Sequence, residues 1–449
     1  MTTSILADET RDRADRTTAL LPPAPTTLEA SGLSLDLVVQ LVLKHLHFSG
    51  ELTGIEIARR LGLEFAVIEP ALEFVKRMHQ CEIVGGSGIG GPSYRYRITD
   101  AGRERAMLFL ESNQYVGVAP VPLRQYVAYL RAYRDAVPRS ITRARVKDAF
   151  SHLVLSDRVL NQVGPAIASA HSMFVYGPPG NGKTVIAQAI RGLLDGELGV
   201  PHAIEVEGNI VRLFDPVNHE PLELPAASSL GLEREAGHDA RWVRCRRPLV
   251  MVGGELTLES LELSYSQTTG FYTAPIQAVA NGGVLVIDDF GRQRCSARDL
   301  LNRWIVPLES RVDFLTLNNG QKFELPFNLL VVFATNIRPS ELVDEAFLRR
   351  IHYKVLAESP TVADFKHIFE NCCRERGVDY DERLVDDLLN DYFRPRNIVL
   401  RGCHPRDILD QALAQAAYLG EERRLTGELL EAACASYFVD DTEQAPVPA

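Results

Sequence analysis

The segment Gly177-Pro178-Pro179-Gly180-Asn181-Gly182-Lys183-Thr184 constrains the fold more than any other part of the chain. It follows an apolar run, Met-Phe-Val-Tyr, and opens the helical stretch VIAQAIRGLL. Strand, glycine-rich loop and helix in that order form the setting that G-x-x-x-x-G-K-[ST] requires. The glycines let backbone N–H groups turn inward around phosphate oxygens, and the helix N-terminus adds a favourable dipole. In such a loop Lys183 reaches the β- and γ-phosphates, and the Thr184 hydroxyl holds Mg²⁺. The expected ligand is therefore ATP with Mg²⁺.

Around this loop, short β-branched runs alternate with helical segments: SMFVYG, AIEVEG, VLVIDD, LLVVFATN and HYKVL. Runs this apolar, separated by helices, predict a parallel sheet buried on both faces. One of them, Val284-Leu285-Val286-Ile287, ends in Asp288-Asp289, the pattern named Walker B. The first carboxylate is expected to hold Mg²⁺ and the second to polarise an attacking water. Asp289 is one methylene shorter than the glutamate usual there, which moves the base away from the water unless the backbone compensates.

Downstream, the run 329–335 ends in Thr335-Asn336; Asp344-Glu345-Ala346-Phe347-Leu348-Arg349-Arg350 and Gly402-Cys403-His404-Pro405-Arg406-Asp407 follow. In order and spacing these parts resemble the AAA+ ATPases over about two-thirds of the chain. The resemblance implies an α/β P-loop NTPase core, a parallel sheet between helices, with a C-terminal helical lid. It makes Asn336 the sensor-1 residue. Arg350, with Arg349 beside it, becomes the arginine finger reaching a neighbouring subunit's nucleotide, and Arg406 the sensor-2 arginine of the lid. A γ-phosphate gaining charge in the transition state needs such fixed positive donors. The resemblance also implies a homo-oligomeric ring, a hexamer, that remodels a protein partner.

Two further segments narrow the branch. A long insert precedes Walker B, and VDFLTLNNGQKFELPF reads as a hairpin with Asn319-Gly320 at its turn. Together they resemble the MoxR-like, helix-2-insert side of AAA+. Within the insert, Phe271 and Tyr272 are either a pore-facing grip on a polypeptide or residues that pack the insert. The order of parts is also similar to bacterial chaperone-like AAA+ ATPases linked to Flp-type pilus assembly.

The first 30 residues are charged and Ser/Thr-rich before Leu21-Pro22-Pro23-Ala24-Pro25, and read as a mobile leader. Residues 31–115 read as three helices, a hairpin with a Gly-rich tip and a fourth helix, and resemble a winged-helix domain. A linker and helix (116–145), the core (146–357), the lid (358–440) and a tail (441–449) complete the expected layout. Winged helices raise the question of DNA, but residues 31–115 carry nine Lys/Arg against ten Asp/Glu. The third helix, about 64–80, bears Glu64, Glu69 and Glu73, which would repel phosphates, and Arg95 and Arg97 on the wing are the best contacts available. A net charge of −11 points the same way. DNA is disfavoured against a protein partner. The alternatives to a remodelling motor are a DNA-binding regulator or DNA-processing ATPase directed by the winged helix, and a nucleotide-switched scaffold in which the short Asp289 leaves little hydrolysis. Arg241-Trp242-Val243-Arg244-Cys245-Arg246-Arg247 is the other basic stretch, read as a charged surface of the core or a subunit contact. Seven scattered cysteines suit a reducing cytoplasm, and no apolar run approaches the ~20 residues needed to span a bilayer.

Overall fold

A computed structural model describes residues 21–86, 90–136, 141–194, 196–222 and 237–438. Most of the expected leader, the whole of the expected tail and the tip of the Gly-rich turn lie outside these residues. The five-stranded sheet has the order Leu249–Val252, Val284–Ile287, Leu330–Thr335, Met173–Tyr176, Tyr353–Leu356. Met173–Tyr176 runs parallel to both of its neighbours, pairing Met173 with Val332 on one side and with Tyr353 on the other. Val284–Ile287 and Leu330–Thr335 are buried at every position. That is the continuous apolar pattern of strands covered on both faces. The fold is thus α/β with a parallel sheet between helices.

The chain divides into two compact units. One comprises Ser140–Leu193, Val286–Arg292 and Val331–Ala449. It contains the loop 177–184 and a C-terminal helical part: Val362–Arg376, Glu382–Asp387, Leu388–Phe393, His404–Leu419 and Gly427–Tyr437. Thr361 and Asp364 form a capping box at the start of the first of these helices, and Gly377, left-handed at φ 64°, ends it. Phe365, Phe369, Phe393 and Ile408 fill a separate apolar core there.

The other unit comprises Met1–Arg139, Leu194–Leu285 and Gln293–Leu330. Its helices Leu35–Ser49, Gly54–Leu61 and Phe65–Arg77 begin at Ser34, Thr53 and Glu64; the first two carry side-chain caps. An antiparallel sheet, Glu51–Thr53, Tyr94–Ile98 and Cys81–Gly86, joins them. The hairpin is as expected, and Glu51–Thr53 adds a third strand that its short length concealed. Residues 21–24, read as leader, are not loose. Asp239 N–H donates to Pro22 O at 2.9 Å and Ala24 N–H to Gly237 O at 2.7 Å.

The run AIEVEG does not join the parallel sheet. Ala203–Val206 pairs antiparallel with Asn209–Arg212 in a second five-stranded sheet. The reason is local: Glu207 and Gly208 both have positive φ, 50° and 79°, the two-residue turn that closes a tight hairpin. Its place in the parallel sheet is taken by Leu249–Val252. The stretch 241–247 is not a basic surface either. Arg241 is 1% exposed, pairs with the equally buried Asp239 at 2.7 Å, and donates to Ser31 O at 3.0 Å. Arg244 is paired with Glu197.

Lys44 lies on the buried side of helix Leu35–Ser49, 1% exposed, with its ammonium donating to the carbonyls of Asn113 and Tyr115. Burial pulls its pKa down to about 8. Below that pH the amine is charged folded and unfolded, and the folded state bears the full desolvation cost. Between about 8 and 10.5 the unfolded chain holds more protons, so stability rises with pH. Relative to Lys44→Met, the wild type should gain roughly 2 kcal/mol from pH 7 to 10, read as a closing gap in Tm. A gap that does not change with pH would show that this ammonium is solvated.

Candidate phosphate-binding site

Lys183, Thr184, Asp288, Asp289 and Asn336 belong to one unit and stand at or just past the C-terminal ends of parallel strands, where open α/β sheets bind ligands. Met173–Tyr176 delivers the loop, in which Gly177, Gly180 and Gly182 have φ of 141°, 77° and 73°. Side chains are excluded there for packing reasons as well. A Cβ at Gly177 would lie 2.5 Å from Ala357 O, and one at Gly180 would lie 2.5 Å from Cys403 Sγ. The loop backbone is therefore bare, as a phosphate cradle needs.

Lys183 opens the helix Lys183–Ala189 and turns back over the loop, its Nζ donating to Gly177 O at 3.1 Å and Pro178 O at 2.9 Å. Burial lowers its pKa; the Asp288 and Asp289 carboxylates oppose that, and the Arg401 charge adds to it. The next residue, Thr184, donates its hydroxyl to Asp288 Oδ2 at 2.7 Å. Asp288 Oδ1 accepts from the Asp289 N–H at 2.9 Å. Asn336, at the end of Leu330–Thr335, donates Nδ2 to Asp289 Oδ1 at 3.0 Å. Its own Oδ1 is buried without a hydrogen-bond partner among the described residues. The strand ends are locked together by the backbone: Phe290 N–H donates to Ala334 O at 2.7 Å, and Thr335 Oγ1 donates to Phe290 O at 2.7 Å.

Thr184, Asp288, Asp289 and Asn336 thus meet beside the loop. No cluster of three or more His, Cys, Asp or Glu among the described residues could hold a metal by itself. One hydroxyl and one carboxylate instead suit Mg²⁺, which takes few protein ligands and fills its octahedron with phosphate oxygens and water.

The arginines are placed differently from one another. Arg349 is exposed, and the Arg350 guanidinium lies 6.0 Å over the Phe347 ring, just before strand Tyr353–Leu356. Arg406 is paired with the adjacent Asp407 at 2.8 Å, which raises its pKa. Arg401, passed over in the sequence because it stands outside the Gly402–Asp407 motif, is joined to the residues around the loop. It donates to Ser359 Oγ at 3.1 Å, and the next residue's N–H donates to Asn181 Oδ1 at 3.2 Å.

Residues 156–215, which contain the loop, match the family model for magnesium chelatase, subunit ChlI. In fold, the parallel sheet between helices with this loop at its strand ends matches an AAA+ P-loop core. Residues 361–436 match a domain of unknown function, DUF8689, and cover the helical part that follows the AAA+ sheet. No curated protein sequence matches the chain. Among solved structures, Thermotoga maritima RuvB, titled a Holliday junction branch migration motor, is 14% identical over 66% of this chain and 70% of its own, at a TM-score of 0.35. NtrX from Brucella abortus, in complex with ATP, is 13% identical over 62% of this chain and 55% of its own, at a TM-score of 0.37.

Phe271 and Tyr272 lie in the other unit, away from any free loop. They form the strand Phe271–Thr273, where Tyr272 is 3% exposed and its hydroxyl accepts from Asn318 N–H at 3.0 Å. Phe271 meets Tyr115 edge-on, with centroids 5.7 Å apart. Of the two readings offered by the sequence, packing of the insert is the one these contacts satisfy. The expected hairpin is present as Val312–Thr316 against Lys322–Pro326, with Gly320 at φ 84° in its turn.

Proposed function

We propose that the protein is an Mg²⁺-dependent ATPase that works as a ring, a hexamer, to remodel a protein partner. The observation that carries the ATPase reading is the meeting of Thr184, Asp288, Asp289 and Asn336 beside a bare glycine loop closed by Lys183. Thr184 and Asp288 would hold Mg²⁺ with the phosphates, and the ion would neutralise charge developing there. Asp289 would take the proton of the attacking water. Asn336 would orient that water, through its unpaired Oδ1 and through the amide that fixes Asp289. Arg350, with Arg349 beside it, would act on a neighbour's nucleotide, and Arg406 would belong to the lid.

The helices and antiparallel sheet of residues 31–115 support a winged-helix domain, and the insert with its hairpin supports the MoxR-like branch. A chaperone-like role, with a protein partner docked by the winged helix, is favoured over DNA by the fate of the wing arginines. Arg95 and Arg97 are both paired with Glu51, at 3.0 and 3.1 Å, and Arg97 also lies 3.9 Å from Glu82, so two carboxylates offset the two guanidinium charges. Seven free cysteines support a reducing, cytoplasmic setting, and no described helix is long and apolar enough to cross a membrane.

The ring is tested by complementation. Arg350→Ala should bind ATP nearly as well as wild type yet lose most hydrolysis; mixed with Lys183→Ala, it should regain part of that activity. In mixed rings some interfaces pair an intact loop from one chain with an intact Arg350 from the next. If labelled subunits exchange and activity still does not return, Arg350 does not act between subunits.

A further inference from the structure

We propose that Arg401 is a second phosphate-binding cation of this site, supplied by the segment that leads into helix His404–Leu419. The inference rests on the nucleotide reading above.

That segment is bonded to the glycine loop itself. Cys403 N–H donates to Gly180 O at 2.8 Å, and Gly402 N–H donates to Asn181 Oδ1 at 3.2 Å. Asn181 is buried, and its amide also donates to Ala357 O at 3.3 Å and to Ser359 Oγ at 3.4 Å. One loop side chain therefore ties together the phosphate loop, residues 357–359 and residues 401–403. The Arg401 guanidinium is held next to this knot by a single bond, Nη1 to Ser359 Oγ at 3.1 Å. Its place in the fold is thus set by the loop that would hold the phosphates.

Charge accounting separates Arg401 from two lid arginines, Arg406 near it in sequence and Arg376 in the helical part's first helix. Arg406 is neutralised by Asp407 at 2.8 Å, and Arg376 by Asp410. Among the described residues no carboxylate pairs with Arg401, and its recorded side-chain partner, a serine hydroxyl, carries no charge. A guanidinium has five N–H donors, and Ser359 takes one of them. Arg401 is half-buried and bonded into the residues around the loop, and Lys183 on that loop is 7% exposed. Two cations drawn out of water beside one bare loop repel each other unless an anion lies between them. A polyphosphate meets that need, and the planar fork of Arg401 suits two oxygens of one phosphoryl group.

The test is calorimetric titration of the full chain with Mg·ATP, with thermal melting to confirm that each variant folds. Arg401→Ala should weaken ATP binding by about tenfold or more, the loss expected for charge-assisted bonds. Arg401→Lys should recover part of it, because the charge returns without the fork. Ser359→Ala removes the hydroxyl that accepts from Arg401 and from Asn181 but no charge, and should cost clearly less than Arg401→Ala. Wild-type affinity in Arg401→Ala, or an equal loss in Ser359→Ala, would overturn the proposal and leave Arg401 a structural residue. Lys183→Ala separates the two claims: if it binds ATP as wild type does, the nucleotide reading itself is at fault.

Discussion

Lys183→Ala is expected to lower ATP affinity by about a hundredfold or more, to the point where no binding heat is measured. The ammonium is the only cation inside the loop, and it already turns back onto Gly177 O and Pro178 O. Bonds between charged groups contribute about 1.5–3 kcal/mol each, and a lysine reaching two phosphoryl groups makes at least two of them. Burial works against its charge, while Asp288 and Asp289 work for it; a bound polyphosphate would decide the balance for the protonated form. Because the side chain bridges only loop carbonyls, the variant should keep its fold, which an unchanged Tm would show. Tight ATP binding by the folded variant would remove the basis for reading 177–184 as a phosphate loop.

The strand–loop–helix around Gly177 was legible because its chemistry is local. Eight consecutive residues carry the pattern, and the apolar runs on either side state their own burial. The same holds for the hairpin around Asn319-Gly320, whose turn residues are neighbours in sequence, Gly320 taking the positive φ of 84°. Misreadings arose where local pattern and tertiary partner disagree. Ala203–Val206 is as apolar as a central strand, but the Glu207-Gly208 turn folds it back into a hairpin before it can cross over. Arg241 looks like surface charge, yet Asp239, two residues earlier, lets it be buried as an ion pair. Lys44 sits in an apolar helix that nothing marks as covered on the lysine's side. Arg401 has no motif of its own; what singles it out is a hydrogen-bond knot through Asn181, and such partners are far apart in sequence. Asp289 combines both cases. Its shortness is plain in the sequence, whereas its backbone is not: φ is 47°, in the left-handed region that aspartate enters more readily than most residues. From that backbone its carboxylate accepts from Asn336 Nδ2 at 3.0 Å.

Asp289→Asn addresses this residue with the smallest change of shape. The amide fits the same space but cannot accept a proton from water, and a positioned general base contributes roughly 10²–10⁴ in rate. Thr184, Asp288 and the loop are untouched, so ATP affinity should stay within about threefold of wild type. A ring that binds and does not turn over would also hold its ATP-bound assembly. The most direct measurement is phosphate release at saturating ATP and Mg²⁺ for wild type and Asp289→Asn, with bound nucleotide counted in both. The wild type should release phosphate over many turnovers and stop when the Mg²⁺ is chelated, and the variant should fall at least about a hundredfold at equal occupancy. Release by the variant at the wild-type rate, or a wild type that binds ATP and never hydrolyses it, would contradict the assignment of Asp289 as the base of an ATPase.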